Sequence, residues 1–167
     1  NGQTPWENQE EAFQFALEHP FVMFNMGMGT GKTRTALDVV FAREDVHKIL
    51  VVCPKSILVD KVWEKNLNMF HPDDKWTCCS LINGTVAKKA GEVLEIHDRP
   101  IEGKVFIVVN YDIVWRGVLG DMFRVFGFDA IILDESHKIK SAGSKVSKYA
   151  ALLGKHVPYR MCLSGTP

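Results

Sequence analysis

Residues 26–33 read MGMGTGKT, which sets one positive charge among glycine, methionine and threonine. A loop of this composition binds with its backbone. Gly27, Gly29 and Gly31 let the chain turn tightly and approach an anion, with amide N–H groups and a following helix N-terminus aimed at it. Met28 and Thr30 complete the cradle. Lys32 then neutralises charge on the β- and γ-phosphates of a nucleoside triphosphate, and the Thr33 hydroxyl ligates magnesium. The fuller pattern GxxxxGK[ST] would put glycine at 26, where this chain has Met26. The competing reading is a glycine-rich turn beside a surface lysine. The order strand, glycine loop, helix favours the phosphate reading.

A second group of chemically able residues closes the segment FDAIILDESHKIK, residues 128–140. A carboxylate at the C-terminal end of a buried strand sits at the sheet rim, beside a phosphate loop. Asp134 would hold magnesium, through water, and Glu135 would orient and deprotonate an attacking water. An acidic turn after a strand is common, so the pair gains its weight from following a phosphate loop and four apolar residues. Other chemistries lack their signatures. The chain has no NKxD guanine-reading segment, no HRD or DFG of a protein kinase and no HExxH, and its six histidines form no metal-spaced cluster.

These residues need elements to position them. Short apolar runs at 21–25, 48–53, 77–82, 104–110, 130–134 and 159–164 read as buried strands. Between them lie helix-spaced stripes: Phe13, Ala16 and Leu17; Ala36, Leu37, Val40 and Phe41; Val59, Trp63, Leu67 and Phe70; Val86, Ala90, Val93 and Leu94. Ser56 and Thr85 stand where N-caps belong. The alternation implies an α/β fold, a three-layer α/β/α sandwich with a mainly parallel sheet. No internal repeat or low-complexity linker breaks it, so residues 1–167 read as one domain. The chain stops at SGTP directly after a strand, which reads as a fragment of something longer.

Bulk properties exclude more than they assign. Twenty Lys and Arg balance 20 Asp and Glu, so net charge does not argue for nucleic acid as it would in a basic protein. Four cysteines without a CxxC pair fit reduced thiols in an intracellular compartment, cytoplasm or nucleus. No apolar run approaches the roughly 18 residues of a membrane span, and no signal peptide opens the chain. Asn83-Gly84-Thr85 matches a glycosylation sequon but reads as a turn before a helix.

Several segments then line up in order. MGTGKT (28–33), DESHKIK (134–140) and LSGTP (163–167) resemble the MGLGKT, DEAHxIK and LTGTP strings of Swi/Snf-type ATPases, the DNA-translocating branch of the superfamily-two helicases. VVCPKSIL (51–58) is similar to their VCPxSLL, and VNYDIV (109–114) to their TSYExL. Gln9 with Ala12 resembles the family's adenine-reading glutamine, although Glu7 and Asn8 replace its Pro-Tyr. The ending SGTP differs from the SAT of DEAD-box RNA helicases.

The resemblance covers the first of two RecA-like lobes. It implies ATP and Mg2+ as cofactors, a DEAH-type acidic motif, and a second lobe of the same polypeptide that supplies arginines to the transferring phosphoryl group. It implies that His137 links the nucleotide site to Ser164, Gly165 and Thr166, which relay nucleotide state to a DNA groove. DNA, in duplex form, would be held by phosphate contact without base reading. Lys55 and Ser56 at a helix start, and Asn110 and Tyr111 after a strand, are the candidates. Structural readings compete there: a Ser N-cap and a strand end. The basic run Lys138, Lys140, Lys145 and Lys148 fits a solvated face. An isolated lobe would be monomeric, would bind nucleotide weakly and would turn over slowly. Two alternatives stay open: an RNA-directed DExH helicase lobe, and a non-catalytic nucleotide-binding interaction module.

Overall fold

The structure, a computed structural model, describes residues 6–165 apart from 28, 101, 140 and 142. The expectations placed on Met28, Lys140 and Thr166 lie outside the described residues. Six strands form one sheet in the order β1-β6-β5-β2-β4-β3: β1 (Phe21–Asn25), β2 (Lys48–Cys53), β3 (Trp76–Ser80), β4 (Lys104–Asn110), β5 (Ala130–Leu133) and β6 (Tyr159–Ser164). Every pairing is parallel. The six short apolar runs expected as strands are therefore all present, with β3 starting one residue earlier and ending two earlier than expected and β5 one residue shorter. Residues of β4 are buried along its whole length, and those of β2 from Ile49 onward, as parallel strands covered on both faces require.

Helices α1 (Glu7–Glu18), α2 (Lys32–Ala42), α3 (Lys55–Val59) and α4 (Val62–Phe70) cover one face. Ala16, Leu37, Val40, Leu58, Trp63 and Leu67 pack there against Phe24, Ile49, Val51 and Phe106. Helices α5 (Val86–His97), α6 (Gly117–Val125) and α7 (Lys145–Gly154) cover the other. Val93, Leu119, Phe123 and Leu153 meet Leu50, Val52, Ile107 and Ile131. This is the three-layer sandwich that the sequence implies. Burial pushes the Cys53 and Cys78 thiols up to about 12, so both stay protonated and unreactive at neutral pH.

Three local expectations need correction. The stripe through Val59, Trp63, Leu67 and Phe70 belongs to two helices. Lys61 adopts a left-handed φ of 51° between them, which turns Val59 outward while Trp63 and Leu67 stay buried. Ser56 is no N-cap, because α3 starts one residue earlier with Pro54 in the cap position. Thr85 is one: its side chain accepts from the Lys88 amide at 3.2 Å. Leu94 faces solvent, since the buried stripe of α5 runs through Ala90 and Val93. Helices α6 and α7 carry no reading in the sequence. Glycines at 117 and 120 mask the first. Gly120 is required there, because a Cβ would come within 2.7 Å of the Trp115 carbonyl.

A fully parallel sheet sends the loop after every strand to the same rim. The loops after β1, β2, β4 and β5 and the end of β6 therefore share one edge, where a site assembled from distant segments becomes possible.

Candidate functional site

The loop between β1 and α2 carries the left-handed turns that its glycines permit. Gly29 has φ 75° and Gly31 φ 83°, values open to glycine at no steric cost. Gly27 needs no such freedom: a Cβ there would meet only the Thr30 methyl at an ordinary 3.6 Å. Thr30 closes the turn, its hydroxyl donating to the Gly27 carbonyl at 2.7 Å. Lys32, the first residue of α2, is buried. Its ammonium lies inside the loop and donates to the Met26 and Gly27 carbonyls, both at 2.9 Å. Holding a cation at this point, beside the amides of a helix start, makes the loop a receptor for an anion.

Gln9 joins the loop to α1. Its amide nitrogen donates to the Thr30 carbonyl at 2.8 Å, and its amide oxygen accepts from the Trp6 backbone N–H at 3.2 Å, capping the start of α1. A Cβ at 31 would also push that amide nitrogen out of place. Both ends of the Gln9 amide are thus engaged.

Across the same cavity, of about 780 Å³, lie Asp134 and Glu135, facing Gly29, Gly31, Lys32 and Thr33. Asp134 follows β5 directly and is 4% exposed. Trp63 donates its indole N–H to Asp134 Oδ2 at 3.0 Å, and the Tyr111 hydroxyl donates to the Asp134 carbonyl at 2.7 Å. Burial raises the Asp134 carboxyl to about 6, with the Glu135 charge adding to the rise, against the lowering effects of the Trp63 hydrogen bond and the Lys32 ammonium. Glu135 sits at φ 51°, a strained left-handed backbone for a residue with a side chain. Its carboxylate lies 3.2 Å from His137 Nδ1, but the approach does not make a hydrogen bond, and that nitrogen is buried without one. Thr33 and Asp134 together offer a hydroxyl and a carboxylate, hard oxygen donors suited to a magnesium ion that keeps its waters. Among the described residues no group of three His, Cys, Asp or Glu is placed to hold a metal ion.

The raised Asp134 pKa has a stability consequence. The folded state holds this proton up to about pH 6 and the unfolded state only to about 3.8, so stability falls as pH rises between the two. The charge costs up to about 3 kcal/mol at neutral pH. Asp134→Asn, which still accepts from Trp63, should therefore raise unfolding free energy by about 1–3 kcal/mol at pH 7, and the gain should vanish near pH 4 in urea melts.

The coupling residues are only partly brought together. Ser164 is fully buried, and its carbonyl accepts from the Met26 amide at 3.3 Å, so the end of β6 is bonded to the phosphate loop itself. His137 stands in a 3-10 turn, Ser136–Ile139, that packs against β6. Gly165 follows Ser164 at the rim.

Of the nucleic-acid candidates, Lys55 and Ser56 are exposed at the rim. Asn110 and Tyr111 are buried and serve internally. The Asn110 oxygen accepts from the Asp112 and Ile113 amides at 3.0 and 3.2 Å, and the Tyr111 hydroxyl is engaged with Asp134. The Asn110 side chain is thus turned inward, whereas Tyr111, though bonded to Asp134, still lines the cleft that holds Lys55. A second cleft, of about 380 Å³, brings Lys55 together with Arg116, Lys138 and Lys145 around Trp115. The sequence did not mark Arg116 or Trp115, and Lys138 and Lys145 read there as solvated charge. Cations drawn from four segments carry no local signal. Trp63, the partner of Asp134, was visible only as a core residue.

Comparison with known proteins adds the following. The family described as SNF2-related domain matches residues 19–167. The "SWI/SNF-related matrix-associated actin-dependent regulator of chromatin subfamily A-like protein 1 homolog" of Caenorhabditis elegans is 30% identical over 161 residues, covering 95% of this chain and 21% of that protein. "Chromatin-remodeling ATPase INO80" of Neosartorya fischeri is 33% identical over 150 residues, 84% of this chain and 8% of its own length. The structure titled "Sulfolobus solfataricus SWI2/SNF2 ATPase core in complex with dsDNA" superimposes with a TM-score of 0.75 at 22% identity, covering 99% of this chain and 32% of that one. The chain thus spans only a minor part of each of these relatives.

Proposed function

Because this chain belongs to the SNF2-related domain family, we propose that it is the ATP-binding lobe of a DNA translocase, coupling ATP hydrolysis to movement along duplex DNA. The carrying observation is the single cavity in which Gly29, Gly31, Lys32 and Thr33 face Asp134 and Glu135. Lys32 exchanges its loop carbonyls for phosphate oxygens. Thr33 and Asp134 would hold a magnesium ion, which would supply positive charge beside the phosphates. Glu135 takes the proton of the attacking water. Gln9 fixes the loop. His137, with Ser164, Gly165 and Thr166, passes the state of the site to the DNA side through the bond between Met26 and Ser164. Lys55 and Ser56, joined by Arg116, Lys138 and Lys145, meet DNA phosphates.

The arginines that complete the transition state come from a second RecA-like lobe of the same polypeptide. The protein works in a reducing compartment, nuclear in a eukaryote. No helix among the described residues is long and apolar enough to cross a membrane. The relatives named for chromatin support DNA over RNA as the track.

The test is ATPase activity of the complete protein with duplex DNA, duplex RNA or neither. Stimulation by DNA at least tenfold above RNA is expected, with residues 1–167 alone turning over slowly or not at all. Stronger stimulation by RNA would favour an RNA helicase, and no hydrolysis under any condition a non-catalytic module.

A further inference from the structure

His71 closes α4 and is 9% exposed, yet both of its ring nitrogens face a carboxylate. Nε2 lies 3.0 Å from Asp38 Oδ1 on α2, and Nδ1 lies 2.9 Å from Asp74 Oδ2 in the turn that leads to β3. A neutral imidazole has one N–H and can donate to only one of them, and its other nitrogen would set a lone pair against a carboxylate oxygen. The two contacts together call for the imidazolium, which donates to both. The ring stacks on Phe41 of α2, with centroids 4.0 Å apart, which fixes the plane in which it donates.

The surrounding charges come from few elements. Arg34, also on α2, lies 3.6 Å from the second Asp38 oxygen. Lys104, from β4, stands over the Phe41 ring, 5.8 Å from its centroid, and donates to the Arg43 and Val46 carbonyls. From β3, Trp76 donates its indole N–H to the His71 carbonyl at 2.9 Å. Burial works against a charged ring here. The hydrogen bonds to Asp38 and Asp74, with the charges of both, outweigh it and hold the His71 pKa above the ordinary histidine value of 6.5.

We propose that His71 is a pH-sensitive clamp. As an imidazolium it fastens the C-terminal end of α4 to α2 through Asp38 and to the following turn through Asp74, and loss of its proton frees that end of α4. The clamp bears on the candidate site, because α4 also carries Trp63, the indole donor that holds Asp134. The inference goes beyond the hydrolysis reading and does not depend on it, since His71, Asp38 and Asp74 stand outside the lining of the nucleotide cavity.

The folded state keeps this proton to a higher pH than the unfolded chain does. The clamp is therefore complete below about pH 6.5 and is lost as pH rises through the folded value. The fall in stability tied to Asp134 lies lower, between about 3.8 and about 6.

Two exchange measurements on the complete protein test this, both read by mass spectrometry from about pH 5 to about pH 9. Hydrogen exchange at the imidazole C2 position reports the protonation of His71 itself. It should titrate above the ordinary histidine value, and Asp74→Asn should bring the midpoint down toward that value. Amide exchange in α4, corrected for its intrinsic rise with pH, should lose roughly tenfold in protection across the same midpoint. Helix α6, on the opposite face, should show no such step. His71→Gln, which keeps a donor and no charge, should leave α4 at the weakened level at every pH.

Titration of His71 at or below the ordinary value would overturn the proposal. So would parental α4 protection that stays flat across the His71 midpoint. A step that persists in His71→Gln would belong to Lys104 and overturn it as well. The parental titration decides the matter even where a variant fails to fold.

Discussion

Lys32→Ala is expected to lose Mg-ATP binding by at least roughly a hundredfold, about 3 kcal/mol. The argument starts from where the ammonium already is. It is buried with its α2 backbone and held by two loop carbonyls at 2.9 Å. A buried ammonium donating to neutral carbonyls is a poor match for its charge, and phosphate oxygens are a better one. Nucleotide binding therefore exchanges two neutral acceptors for anionic ones without moving a charge out of water. Alanine removes that exchange and leaves the phosphates facing only amides. The fold should tolerate the change, since Met26 is only half-buried and Gly27 is exposed, so water can replace the ammonium at their carbonyls. Calorimetric titration of the variant, with a thermal melt to confirm folding, checks both halves. The loss should extend to inorganic tripolyphosphate, a ligand that presents phosphate alone. Binding within threefold of the parent would mean that the loop does not hold phosphate.

Much of this site was legible because its signals are local. MGMGTGKT fixes a turn, a charge and a helix start in eight consecutive residues, and the structure puts all three where that order requires. The apolar run before Asp134 likewise announces a strand that delivers a carboxylate to the sheet rim. The sheet itself was legible because buried parallel strands are nearly continuous in Val and Ile. What escaped is what depends on distance. Trp63 holds Asp134 across 71 positions of sequence, and nothing around it distinguishes that indole from a core residue. Arg116, Lys138 and Lys145 gather beside Lys55 only because every strand runs the same way. Asn110 turns inward for a related reason: a strand's last residue faces the rim only if the turn after it leaves its polar groups free, and here the Asp112 and Ile113 amides take the Asn110 oxygen. The break at Lys61 is also silent, since lysine rarely adopts a left-handed φ.

The backbone at Glu135 carries the second large prediction. In the complete protein, Glu135→Gln should keep ATP affinity within a few-fold and lower hydrolysis by roughly a hundredfold to ten-thousandfold, the range a positioned base contributes. The left-handed φ of 51° comes directly after the last bond of β5 to its neighbours. It costs roughly 1 kcal/mol relative to glycine. A residue kept in such a conformation needs a use for its side chain, and here that side chain enters the cavity shared with Lys32 and Thr33. Glutamine keeps the shape, the strain and the hydrogen-bonding reach, and removes only the capacity to take a proton. Glycine separates the two properties. Glu135→Gly should raise unfolding free energy by about 1 kcal/mol while losing hydrolysis as fully as glutamine does. Single-turnover hydrolysis measured beside equilibrium ATP binding distinguishes these outcomes. Should Glu135→Gln hydrolyse at the parental rate, the base must be sought elsewhere. Asp134, the other carboxylate lining the same cavity, would then be the next residue to test.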